Sequence, residues 1–138
     1  MEYSLASSTW GPEEYAAIDR VVKTGMFTMG EHVAAFEQEF ADKFGCKYGV
    51  MSNSGSSANL LAIAALFYKK DNPLKPGDEV IVPAISWSTT YYPLLQYGLK
   101  LRFVDVELDT LNMDVTKFEE ALTSKTRLVV AVNILGNP

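Results

Sequence analysis

The 138-residue sequence predicts an α/β fold of three layers, with helices on both faces of a mainly parallel sheet. Three observations predict it. From Lys47 onward, short β-type runs alternate with segments of helical periodicity, the rhythm of βαβ units. Two of the runs, Glu79–Pro83 and residues 128–132, are continuously apolar, as strands covered on both faces are. Turn chemistry such as Pro76-Gly77-Asp78 separates the periodic segments.

The elements follow in order. Gly11-Pro12-Glu13-Glu14 opens a helix, with proline in the first turn and acids at the positive end of the dipole. Tyr15, Ile18, Val21 and Val22 share one face, and Gly25 ends it. After the loop at residues 26–30, a second helix carries Val33, Phe36, Phe40 and Phe44 on one stripe and stops at Gly45. Residues 1–45 thus form an N-terminal helical segment, and residues 46–138 the first part of an α/β domain. Within the latter, residues 48–51 are expected as a short strand. Residues 57–68 are expected as a helix apolar on nearly every side, hence buried. Strands are expected at Glu79–Pro83, 101–106 and 127–134. A helix over 88–97 ends at Gly98, and a helix capped by Asp114 runs through Phe118 and Leu122. The sequence stops directly after a strand, with no helix to cover it, which is expected of a truncated domain.

Composition excludes several classes of function. Twelve basic against seventeen acidic side chains give a net charge of −5, which argues against a nucleic-acid surface. The longest apolar run, residues 60–68, falls short of the ~20 residues that span a bilayer. No basic segment followed by an apolar one opens the chain, so no signal peptide and no membrane association are expected. One cysteine, Cys46, forms no internal disulfide, and a cytoplasmic protein is the default. His32 and Cys46 leave no metal cluster to argue for. His32, beside Glu31 at a helix start, reads as a solvated surface residue or as a substrate contact.

Two segments carry chemistry. In Asn53-Ser54-Gly55-Ser56-Ser57-Ala58-Asn59, between a strand and a helix, the helix start offers free N–H groups and a positive dipole end. Gly55 lets an anion approach the backbone, and Ser56 and Ser57 add hydroxyl donors. The segment reads equally as a phosphate cradle or as a serine-rich turn with a helix cap. It lacks the Gly-Lys-Ser/Thr ending of a P-loop and the G-x-G-x-x-G dinucleotide fingerprint. The second segment, Pro83-Ala84-Ile85-Ser86-Trp87-Ser88-Thr89-Thr90, lies at the C-terminal end of the next strand, the edge where open α/β sheets bind ligands. Trp87 reads there as a platform for a flat ring or as ordinary core packing. Together the two segments fit a planar ring that carries a phosphate.

These two segments are followed by Gln96-Tyr97-Gly98, Phe103-Val104-Asp105, Asn112-Met113-Asp114 and Leu135-Gly136-Asn137-Pro138. In that order they resemble the DegT/DnrJ/EryC1/StrS family of sugar aminotransferases and their dehydratase relatives. The resemblance covers essentially the whole chain, but only the N-terminal part of a typical member. The opening Leu5-Ala6-Ser7-Ser8-Thr9-Trp10 and the loop Met26-Phe27-Thr28-Met29-Gly30-Glu31 look closer still to its 4-keto-6-deoxyhexose 3-dehydratase branch.

The resemblance implies part of a fold type I, aspartate-aminotransferase-like large domain, and a homodimer when complete. It implies pyridoxal 5'-phosphate or pyridoxamine 5'-phosphate as cofactor, its phosphate held by Gly55, Ser56 and Ser57 and its ring stacked on Trp87. It implies a nucleotide-sugar substrate near Met26, Phe27 and Thr28, a loop that otherwise reads as a plain connection between helices. Asn133, at a strand end on the same edge, reads as a lining residue of the site or as a turn former. The implied reaction removes the C3 hydroxyl of a nucleotide-linked 4-keto-6-deoxyhexose in deoxysugar and lipopolysaccharide biosynthesis. The alternative is amino transfer to the 4-keto group. A third reading is a catalytically inactive fragment or binding module. Family members use a lysine (aminotransferases) or a histidine (3-dehydratases) as acid/base. Neither position is matched in this sequence, so no catalytic residue is assigned, and Asp105 is read as structural.

Overall fold

The computed structural model describes residues 6–137. Leu5 of the opening motif and Pro138 of the last one lie outside the described residues. Two compact units divide between Met51 and Ser52.

The first unit holds two helices. Helix α1 (Pro12–Thr24) starts where expected, and the Glu14 carboxylate accepts the Gly11 N–H at 2.6 Å. That bond holds the Glu14 carboxyl below its ordinary pKa. Gly25, at φ 69°, turns left-handed and closes the helix. Helix α2 (Glu31–Phe44) ends the same way at Gly45, φ 64°. Phe36, Phe40 and Phe44 stack along one side with ring centroids 5.7 and 4.5 Å apart, as i, i+4 neighbours do.

Residues 48–51 are not a strand. A strand needs a neighbour to accept its ladder, and among the described residues none pairs with this segment. The Glu37 side chain takes the Met51 N–H at 2.8 Å instead. Gly49 lies so close to α2 that a Cβ there would stand 2.6 Å from the Glu37 carbonyl oxygen.

The second unit is built on a three-stranded parallel sheet in the order β2-β1-β3. Strand β1 (Glu79–Pro83) is central, flanked by β2 (Lys100–Val104) and β3 (Thr126–Val129). Its continuous apolar run has the expected meaning, because Val80, Ile81 and Val82 are wholly buried. Helix α3 (Gly55–Tyr68) precedes the sheet, α4 (Ser88–Gln96) joins β1 to β2, and α5 (Val115–Ala121) joins β2 to β3. The core gathers Ile63, Leu74, Val80, Val82, Leu94 and Leu99, with Leu66, Phe67 and Tyr97 packed against it.

The long α3–β1 connection is fixed rather than loose. Leu74 is buried and donates its N–H to Leu66, and Arg127 Nη2 donates to Asn72 Oδ1 at 2.6 Å. Asp114 caps α5 as expected, its Oδ1 accepting the N–H groups of Thr116 and Lys117 at 2.9 and 3.3 Å.

Three further expectations need correction. Helix α3 is not covered all round, because a helix on one face of a narrow sheet buries one side. Ile63 is buried, but Leu61 remains half-exposed and Tyr68 is 83% exposed. Strand β2 ends at Val104, where the chain turns so that Val106 bridges antiparallel to Met113. Strand β3 ends at Val129. Val130 makes one further bond to Ile81, after which the chain leaves the sheet for a short 3-10 turn at Ile134–Gly136.

Candidate functional site

All three strands run parallel, so their C-terminal ends share one edge, where open α/β sheets bind ligands. The chain that leaves β1 there forms the loop at residues 84–87, and Trp87 sits at the N-cap of α4. Its indole is 76% exposed and stacks on no other ring among the described residues. Core packing therefore does not account for Trp87 in this unit.

The start of α3 is a capped helix with spare donors. Ser54 is the N-cap, and its Oγ accepts the Ser57 N–H at 3.2 Å. The Ser54 hydroxyl also donates to Ser57 Oγ at 3.3 Å. The N–H groups of Gly55 and Ser56 have no acceptor among the described residues. Apart from its chain neighbours and the backbone of its own helix, nothing lies within 4 Å of the place a Gly55 Cβ would occupy. Two unclaimed amides, two serine hydroxyls and open space thus coincide at the positive end of a 14-residue helix.

Helices α3 and α4 pack against each other. Pro93, buried inside α4, has no N–H to give to the Thr89 carbonyl one turn earlier. Asn59 Nδ2 donates to that carbonyl instead, at 3.5 Å. Between the two helices runs an open groove of about 220 Å³, lined by Ser56, Ser57, Leu60, Thr89, Tyr92, Pro93 and Gln96. Ser56 and Ser57 are therefore brought together with the start of α4, whereas Trp87 stands at its cap and does not line the groove.

A chain of hydroxyls lies beneath the loop. Tyr91 Oη donates to the Pro83 carbonyl at 2.9 Å, and the Ser86 and Thr90 hydroxyls are 2.8 Å apart. Burial pushes the Tyr91 phenol above its ordinary pKa, and a hydrogen bond with Ser86 opposes that shift.

The other expected site residues divide between the two units, Met26, Phe27 and Thr28 in the first and Asn133 in the second. In the first unit, Met26 and Phe27 are exposed, and the Met26 N–H donates to Thr24 Oγ1 at 3.1 Å. Phe27 and His32 line an apolar hollow of about 490 Å³ together with Ala17, Ile18, Val21 and Val22 of α1. Thr28 is exposed between the two helices. Asn133 is exposed ahead of the 3-10 turn, its carbonyl accepting the Gly136 N–H at 3.1 Å. Asp105 accepts the Val106 N–H at 2.9 Å, a local backbone role.

Sequence reasoning missed Thr89, Tyr92 and Gln96. Their i, i+3, i+7 spacing, in a run that begins Ser88-Thr89-Thr90-Tyr91-Tyr92, is the signal that puts them on one face of α4. Among the described residues no helix is long and apolar enough to cross a membrane. Among the same residues, no group of three or more His, Cys, Asp or Glu side chains is placed to hold a metal ion.

Comparison with known proteins places this geometry. Over all 138 residues the chain is 58% identical to GDP-4-keto-6-deoxy-D-mannose 3-dehydratase of Escherichia coli O55:H7. It is equally identical to the protein of that name from Yersinia pseudotuberculosis. It spans 36% and 35% of the length of these two relatives. The solved structure of the E. coli GDP-4-keto-6-deoxy-D-mannose 3-dehydratase with bound hydrated PLP matches at a TM-score of 0.93 and 58% identity, over 99% of this chain and 35% of that one. The fold is accordingly part of the fold type I architecture expected for a PLP-dependent enzyme. Residues 9–138 match the model of one family, so the serine turn, the tryptophan loop and the parallel sheet beneath them are those of the DegT/DnrJ/EryC1/StrS aminotransferase family, to which this chain belongs.

Proposed function

We propose that these residues are part of a pyridoxamine 5'-phosphate-dependent enzyme that removes the C3 hydroxyl of a nucleotide-linked 4-keto-6-deoxyhexose. The observation that carries the reading is the pair of unclaimed amides at Gly55 and Ser56, beside the Ser56 and Ser57 hydroxyls and an opening that any Cβ would enter. Those groups fit a phosphate dianion, since donors without acceptors at a helix N-terminus gain most from an anionic partner. The 58% identity to GDP-sugar 3-dehydratases favours this substrate class and a GDP-linked sugar within it.

In this reading Gly55, Ser56 and Ser57 hold the phosphate, and α3 adds its positive end. Trp87 offers its exposed face to the ring and excludes water from that side. Met26, Phe27, Thr28 and Asn133 contact the sugar nucleotide. The bound cofactor supplies the amine and the electron sink for loss of the C3 hydroxyl. The acid/base is assigned to none of these 138 residues. A homodimer and a cytoplasmic location belong to the same proposal.

Amino transfer to the 4-keto group is the second reading, favoured by the family to which the chain belongs. The test is to supply the full-length protein with pyridoxamine phosphate and a GDP-linked 4-keto-6-deoxyhexose and to follow C3 and C4 by NMR. Loss of the C3 oxygen is expected. An amine appearing at C4 with the C3 hydroxyl retained overturns the dehydratase reading. No turnover at either carbon, with no cofactor bound, favours a binding module instead.

A further inference from the structure

Trp87 offers a wide exposed face, and its indole pairs with no other ring among the described residues. Its orientation then depends chiefly on the backbone that carries it. The loop that carries it is tied several times over a short stretch. Ala84 N–H donates to Val104 at 2.7 Å, and Thr90 N–H to the Trp87 carbonyl at 2.9 Å. The Ser86 and Thr90 hydroxyls pair across the bend at 2.8 Å. Tyr91 closes the loop from below. Its ring meets Phe103 of β2 edge-on, with centroids 5.5 Å apart, and its hydroxyl reaches back to the carbonyl of Pro83, the last residue of β1, at 2.9 Å. Pro83 is buried, so without that hydroxyl its carbonyl has no such donor at the strand end.

We propose that Tyr91 is a positioning residue for the cofactor site: through its bond to Pro83, and with Ser86 and Thr90, it holds the 84–87 loop in the one conformation that presents the Trp87 indole as a ring platform. The inference rests on the reading that Trp87 stacks on a cofactor ring. Tyr91 itself touches neither ring nor phosphate. Its contribution is to remove the conformational freedom of a loop whose large side chains, Ile85 and Trp87, are both exposed.

The experiment uses the full-length protein in five forms: parent, Trp87→Ala, Tyr91→Phe, Ser86→Ala and the Trp87→Ala/Tyr91→Phe double variant. Tyr91→Phe keeps the ring against Phe103 and removes only the hydroxyl, and Ser86→Ala is the second route to the same loosening. Pyridoxamine phosphate affinity is measured by titration, and hydrogen–deuterium exchange of residues 84–90 is followed without ligand. Tyr91→Phe is expected to speed exchange in that segment and to weaken the cofactor by about 3- to 10-fold, the range of one net hydrogen bond. In the Trp87→Ala background the same substitution is expected to have no further effect on affinity, because the platform it serves is gone.

Equal weakening in both backgrounds overturns the proposal, since a general loss of structure adds to the tryptophan loss instead of disappearing with it. A Tyr91→Phe protein that binds like the parent, while Trp87→Ala binds weakly, overturns the proposal and leaves the stacking reading standing. A Trp87→Ala protein that binds normally overturns both.

Discussion

Substitution of Gly55 by alanine separates a functional glycine from a structural one. Gly55 has an ordinary helical backbone, outside the left-handed region, and a Cβ built on it meets nothing within 4 Å beyond its chain neighbours and its own helix backbone. Alanine therefore fits the unliganded fold without strain. By restricting the unfolded chain, it should stabilise that fold by about 0.4–1 kcal/mol. The same Cβ would occupy the opening beside the unclaimed amides of Gly55 and Ser56. A phosphate pushed outward there loses one charge-assisted hydrogen bond, worth ~1.5–3 kcal/mol. That corresponds to an affinity loss of about 10- to 150-fold. Two measurements on the full-length protein check this: a urea unfolding curve without ligand, and a titration with pyridoxamine phosphate. Stability held or raised, with affinity lowered, is the expected pattern. Affinity within twofold of the parent would refute the cradle. A fall in unliganded stability would show that the glycine serves the backbone.

Replacing Ser56 and Ser57 together by alanine should weaken cofactor binding in the same titration while leaving the cap at Ser54 in place, and unchanged affinity would return the segment to a plain serine turn. Ile81→Ala, at a wholly buried position of the central strand, should cost ~2–5 kcal/mol and lower the thermal midpoint of the protein. Asp114 is held below its ordinary pKa chiefly by its hydrogen bond with the Thr116 hydroxyl; desolvation opposes that shift, and the Lys117 and Thr116 amides and the Lys117 charge add to it. Since the folded value is depressed, the cap stabilises above the unfolded value of 3.8 and is lost as pH falls through the lower folded one. Asp114→Asn should keep the cap near neutral pH yet flatten that acid-side dependence, as melting midpoints between pH 6 and the acid limb would report.

What could be read directly from the sequence was local. Gly25 and Gly45 stop their helices because a left-handed residue is needed where each helix ends, and glycine supplies it cheaply. Asp114 caps because its carboxylate sits where the first turn has amides to spare. The buried run of β1 was legible because a strand covered on both faces leaves no polar alternation. What depended on distant partners was not legible. Residues 48–51 have strand-like composition, but Glu37 takes the Met51 amide and, among the described residues, no neighbour pairs with the segment. The apolar surface of α3 suggested burial all round, yet coverage depends on how wide the sheet is. In the site, the serines and Trp87 were visible as residue types at a strand-to-helix junction. Thr89, Tyr92 and Gln96 were not, because they matter only once α4 lies along α3.

The proline inside α4 has a consequence for moving this site elsewhere. Because Pro93 withholds an amide from Thr89, the vacancy is filled from another helix by Asn59. The serine turn and the tryptophan loop are thus the two ends of one hydrogen-bonded helix pair. A designer grafting the serine turn with α3 alone onto a foreign scaffold would leave Asn59 without its acceptor, and grafting the tryptophan loop with α4 alone would leave the Thr89 carbonyl without its donor. The smallest transplantable part is the pair α3 and α4 with β1 between them, carried as a single cassette.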